Sequence, residues 1–200
     1  AGPREYVWRW ALCHFLVANP NYAERFRALA IDLMEGRPNA SFEAAFAPVA
    51  RELAFEFDRF VADVGDGFRA DLVAWPWRAK ERRLAPGGVG RSKPKARAGW
   101  QSSGVEVEAG AVYVITAEGR WRTGADGEAT DAGGDGAGRG RLVGALFADF
   151  SLSGEIPIGT HASWIAPADG VLMVRCADAW TALADNDGQV SVTIRRGAAP

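Results

Sequence analysis

Asp178, Asp185, Asn186 and Asp187 put four oxygen-bearing side chains within ten residues, and Gly188 closes the run. Calcium takes about six to eight oxygens, drawn from carboxylates, amide oxygens and backbone carbonyls. An Asp-Asn-Asp-Gly stretch with Asp178 seven residues ahead of Asp185 can supply several of them. The flanking runs Val171–Arg175 and Val190–Ile194 read as strands, so the loop has a rigid frame at both ends. It is not an EF-hand: counting from Gly188 puts Leu183 at the first ligand position and Ile194 where the bidentate Glu belongs. Asp-Gly is also a common hairpin dipeptide. Spacing alone leaves a calcium loop and a plain turn on equal terms.

Other chemistries lack their residues. His14 and His161 are the two histidines, and neither belongs to a His-Glu-x-x-His zinc helix. There is no Gly-x-Ser-x-Gly elbow and no Walker loop. The 25 Asp and Glu residues single out no glycosidase-like pair, so no catalytic residue is assigned. His14 sits among Phe15, Leu16 and Val17 and reads as a core histidine; His161 reads as a surface residue. Cys13 and Cys176 read as two isolated buried thiols rather than a disulfide. The net charge of −2 argues against a nucleic-acid surface. Arg91, Lys93, Lys95 and Arg97, set among Pro and Gly, read as a solvated linker. No apolar run reaches membrane-spanning length, so no membrane insertion is expected. No signal peptide is visible, and the Ala-Gly-Pro start without Met reads as that of an excised or processed piece.

The elements that would position the loop follow two grammars. Residues 1–83 read as a helical subdomain. Trp8, Ala11, Leu12, Phe15 and Leu16 share a face up to Pro20. Phe26, Leu29, Ala30 and Leu33 mark a second helix from Tyr22 to Met34. Ser41 suits an N-cap for a short third helix ending at Phe46, and Pro48 suits the first turn of a fourth that ends near Gly65. Residues 84–98 carry Gly, Pro and basic residues without periodicity and read as a linker. From 99 to 196 short β-rich runs alternate with Gly-rich turns: Val105–Val107, Tyr113–Thr116, Leu142–Phe147, Ile156–Ile158, Ser163–Ile165, Val171–Arg175 and Val190–Ile194. The chain is therefore expected to be α+β, a small all-α part followed by an antiparallel β-sandwich. Gly124 to Gly140 reads as a long exposed loop.

The stretch GALFADFSLSGEIPIGTHASWIAPADGVLMVRCADAWTALADNDGQVSVTI, preceded by GAVYVITAEGRWRTG, resembles the LecA-like (PA-IL-like) bacterial galactose-binding lectins. It has their Gly-Ala-Leu strand, Ile-Pro step, Trp-x-Ala-Pro turn, and an Asp seven residues before a paired acid or amide. The resemblance implies one calcium held by an Asp, two Asn side chains and two carbonyls, with sugar hydroxyls completing the shell. By position, Asp178 matches the Asp, Asn186 the second Asn, and Asp185 stands where the first Asn would be. The carbonyls of Ala182 and Thr123 fall at the two backbone positions. Asp178, Asp185, Asn186 and Trp180 would meet the sugar, with Trp180 either stacking on a pyranose face or packing against the loop. Asp185 adds charge without weakening a cation site. The family holds its sugar with a His and a Gln, but the corresponding stretch here reads Asp131, Ala132, Gly133, Gly134, Asp135. The resemblance thus implies glycan binding, with a galactoside the family's ligand and selectivity altered.

YVWRWALCHFLVANPNYAERFRALAIDLMEG and FEAAFAPVARELAFEFDRFVADV resemble the helical tail of gluzincin-like metallopeptidases. The zinc motif of such a protein would lie upstream. These resemblances imply a calcium-dependent, carbohydrate-binding module of a larger protein, secreted or in the cell envelope. The alternative is a non-catalytic metallopeptidase fragment whose sandwich is a structural or protein-interaction accessory.

Overall fold

The computed structural model describes residues 2–67 and 69–198, without the side chains of 3, 4 and 66. The chain forms two compact units, Ala1–Trp75 and Pro76–Pro200.

The first unit contains α1 (Pro3–Ala18), α2 (Ala23–Met34), α3 (Phe42–Phe46) and α4 (Ala50–Asp63). Pro20 ends α1 by holding Asn19 extended, at φ −79° and ψ 120°. The Ser41 hydroxyl accepts the Ala44 N–H at 3.1 Å and caps α3. Pro48 lies in a 3-10 turn, Ala47–Val49, that leads into α4. Phe15, Leu16, Tyr22, Phe46 and Phe60 form the buried centre.

A carboxylate organises this unit. Glu56 is 5% exposed. Its two oxygens accept from Asn19 Nδ2 at 2.8 Å, Asn21 Nδ2 at 2.9 Å, the Tyr22 hydroxyl at 2.7 Å and the Trp75 N–H at 2.9 Å. One side chain of α4 thereby fixes the α1–α2 turn and the end of the unit.

Three expectations about the helices change. His14 is exposed and stacks on Trp10 at 5.3 Å, so it is not a core histidine. Cys13 is exposed, whereas Cys176 is buried, and both are free. Leu29 is the buried residue of α2, while Ala30 and Leu33 face outward.

The second unit is a two-sheet sandwich. The first sheet contains β1 (Arg82–Arg83), β3 (Gln101–Val107), β6 (Leu142–Ala148), β7 (Ser151–Leu152), β8 (Ile156–Pro157) and β10 (Gly170–Cys176). Its order is β1-β3-β10-β6-β7, with β8 also on β6. The second sheet contains β2 (Val89–Ser92), β4 (Val112–Arg122), β5 (Ala129–Thr130), β9 (His161–Ile165) and β11 (Asp187–Arg196). Its order is β2-β11-β4-β5, with β9 also on β4. Pairing is antiparallel except between β1 and β3.

Alternation along the strands explains the core. Tyr113, Ile115 and Ala117 of β4 and Val190, Val192 and Ile194 of β11 point inward against Leu172, Val174 and Cys176 of β10. β6 and β10 are covered on both faces, since Val143, Ala145, Met173 and Arg175 are buried as well.

The stretch expected as a linker, 84–98, belongs to the sandwich. It contributes β2, and its end runs on beside β11 through Ala96 N–H to Gly188 O at 3.0 Å. Basic and Gly-rich composition hid it, because a short edge strand carries little apolar periodicity.

Candidate functional site

Asp178, Ala182, Asp185 and Asn186 lie between β10 and β11, on and beside a 3-10 turn, Trp180–Asp185. Asp187 and Gly188 are not a hairpin turn. They are the first residues of β11, in register with Arg122 and Trp121 of β4. Gly188 has φ +89°, and a Cβ there would sit 3.0 Å from the Arg120 carbonyl oxygen and the Trp121 Cα. Glycine is needed because β11 starts hard against β4.

Asn186 is the buried hinge of the arrangement. Its Oδ1 accepts the Gly124 N–H at 3.0 Å, and its Nδ2 donates to Ala96 O at 3.4 Å. That pins the turn after β4, with Thr123, against the loop. The Asp185 carboxylate lies on the same side: its Oδ2 is 3.9 Å from where a Gly124 Cβ would be. Thr123, Asp185 and Asn186 are thus brought together from segments about sixty residues apart in the sequence.

Asp178 reaches the same end by another route. Trp121 Nε1 donates to Gly140 O at 2.6 Å, and the Gly140 N–H donates to Ala177 O at 2.7 Å. Asp178 follows at once, its Oδ1 accepting the Ala179 N–H at 2.9 Å. Ala182 sits in the 3-10 turn, where its N–H donates to Ala179 O at 3.0 Å. Gly124 to Gly140 is therefore less open than its composition suggests. Asp131 Oδ1 accepts from Gly133 N–H at 2.7 Å, and Asp135 Oδ1 accepts from Ala137 and Arg139 N–H, each at 2.9 Å.

Arg175 is the member that sequence reasoning missed. It is 7% exposed. Its Nη1 donates to Cys176 O at 3.3 Å and Asp178 O at 3.1 Å, and its Nη2 to Glu155 Oε1 at 2.6 Å. The guanidinium lies over Trp180, 4.4 Å from the ring centroid, and over Trp100 at 5.3 Å. Of the two roles open to Trp180, packing is the one with a partner. The available signal was a charged residue inside the apolar run VLMVRC. Burial, and then the nearby Asp178 carboxylate, push the Cys176 thiol up to about 12.

Among the described residues, no group of three or more His, Cys, Asp and Glu side chains gathers for a metal. The donors expected from the sequence are of mixed origin, two carboxylates, one amide and two carbonyls, and the structure draws Thr123, Asp185 and Asn186 of them together. That donor set suits a hard cation such as calcium and is poor for zinc. Asn186 Oδ1 keeps a second lone pair beside its bond to Gly124.

No family model matches the chain, and no curated protein matches it. A solved structure described as "EclA N-terminal domain; PllA-like lectin" is similar to it at 27% sequence identity and a TM-score of 0.45, over 54% of this chain and 95% of that one.

Proposed function

We propose that the sandwich unit is a calcium-dependent carbohydrate-binding module. Asp178 and Asp185 would supply carboxylates, Asn186 its amide oxygen, and Ala182 and Thr123 their carbonyls. Two carboxylates balance a divalent cation, and sugar hydroxyls would replace its remaining waters. A galactoside is the first ligand to test, given the resemblance of Gly144 to Ile194 to galactose-binding lectins. A targeting role in a secreted or envelope protein follows from such an activity. The observation that carries the reading is the Asn186–Gly124 bond, which draws Thr123 to the loop bearing Asp185.

Thermal unfolding tests it, in EDTA, in calcium, and in calcium with a galactoside panel. A ligand at 100 times its Kd adds about 2.7 kcal/mol to the native state. Each kcal/mol moves the midpoint of a domain this size by about 2–8 °C. Calcium should raise Tm, a binding sugar should raise it further, and Asp178→Ala should remove both shifts. A Tm unmoved by millimolar calcium rejects the reading and favours a structural or accessory sandwich.

A further inference from the structure

A second feature adjoins this loop. Arg120 and Arg122 flank Trp121 on β4; Trp121 is buried, so both arginines project from the other face of the sheet. They line a cleft of about 310 Å³ with Gly127, Ala129, Asp187 and Gly188. Two guanidinium groups against one carboxylate leave the lining with a formal charge of +1.

The guanidiniums are only partly engaged. Arg120 donates through Nη2 to the Ala129 carbonyl. Arg122 approaches Asp187 at 3.7 Å, beyond hydrogen-bond distance, and both side chains are substantially exposed. The Arg122 Nε is buried and has no acceptor. That nitrogen is shut off from solvent, so a ligand in the cleft would meet the exposed remainder of the side chain. A planar carboxylate or a sulfate matches the guanidinium fork with two parallel bonds. Gly127 and Gly188 line the cleft with backbone alone, and the space a Cβ would take is filled by the Thr123 carbonyl and by β4.

The cleft and the loop are continuous in sequence: Arg122 precedes Thr123, and Asp187 follows Asn186. Calcium balanced by Asp178 and Asp185 would leave the arginines as the net charge beside the sugar. Resting on the carbohydrate-binding reading, we infer that the preferred ligand is an acidic sugar, whose carboxylate or sulfate docks on Arg122 and Arg120. This makes the arginine cleft, rather than the missing His and Gln, the determinant of selectivity.

The test uses the full chain with saturating calcium and titration calorimetry. The probes are methyl α-galactopyranosiduronate, its neutral methyl ester, methyl α-galactopyranoside and its 6-sulfate. At low salt an anionic probe should bind about tenfold more tightly than its neutral counterpart, the effect of one charge-assisted contact. Roughly 0.5 M NaCl should largely erase that preference. Arg122→Gln should remove it while leaving neutral-sugar affinity and the calcium shift in Tm intact; Arg120→Gln should weaken it. The inference is overturned if charged and neutral probes bind alike, or if the preference survives in the double glutamine variant. Neutral-sugar binding with no preference would leave the calcium-lectin reading standing. Absence of any calcium response would overturn both.

Discussion

Arg175 shows how a single residue shapes the candidate loop. Its carbonyl contacts hold Cys176 and Asp178, while its guanidinium covers two tryptophan rings and meets Glu155. Arg175→Met keeps the length and apolar stem but removes every donor. It should cost about 2 kcal/mol or more in urea unfolding and shift the tryptophan emission. Arg175→Lys should not rescue, because an ammonium cannot fork and stack at once; full rescue would reduce the role to charge alone. Asn186→Ala should cost about 1–3 kcal/mol in EDTA, since it leaves the Gly124 N–H without its acceptor. It should weaken the calcium response as well. Cys176 gives a pH signature. Its thiol is raised from 9.0 to about 12 in the fold. The unfolded chain therefore loses its proton first as pH rises. This contribution to stability is complete below about pH 9 and disappears as pH climbs towards 12. At pH 8 a thiol reagent should label one cysteine, the exposed Cys13, and should label both only in denaturant.

At the scale of elements, α4 depends on Glu56 as much as on its aromatic residues. The carboxylate receives four hydrogen bonds from the α1–α2 turn and Trp75. Glu56→Ala would strand buried donors on Asn19 and Tyr22, each costing about 1–3 kcal/mol. Loss of the helical signal on mild heating, with the β signal retained, is the expected outcome by circular dichroism. In the sandwich, β4 and β11 determine where the loop lies. Their register sets Asp187 opposite Arg122, and Gly188 lets the strands start in close contact. Gly188→Ala adds a Cβ 3.0 Å from backbone and demands a left-handed φ from alanine. It should displace the loop and reduce the calcium response more than it lowers strand content.

At the scale of the molecule, the sandwich core, among the described residues, draws only on those between Leu84 and Ile194. Residues 76–200 expressed alone should therefore keep a β spectrum and whatever calcium response the full chain has. A fragment that is unfolded or insensitive to calcium would show that the helical unit is required. The sequence by itself determined the order of helices before strands, the six longest β strands (β3, β4, β6, β9, β10 and β11), the Ser41 cap and the run of oxygen-bearing side chains from Asp178 to Asp187. Each is written in local periodicity or in neighbouring side chains, which a linear reading captures. Tertiary structure decided the rest. Within 84–98, Val89–Ser92 are a strand only because β11 offers them a pairing edge. Cys13 and His14 lie outside because one face of α1 is left uncovered, which no pattern within the helix specifies. Asp187-Gly188 begins a strand rather than a turn because β4 lies alongside it. Gly124 and Ala96 meet Asn186 through hydrogen bonds that span 62 and 90 residues of chain. Such contacts depend on how the sheets close, and closure is a property of the assembled core, not of any one segment.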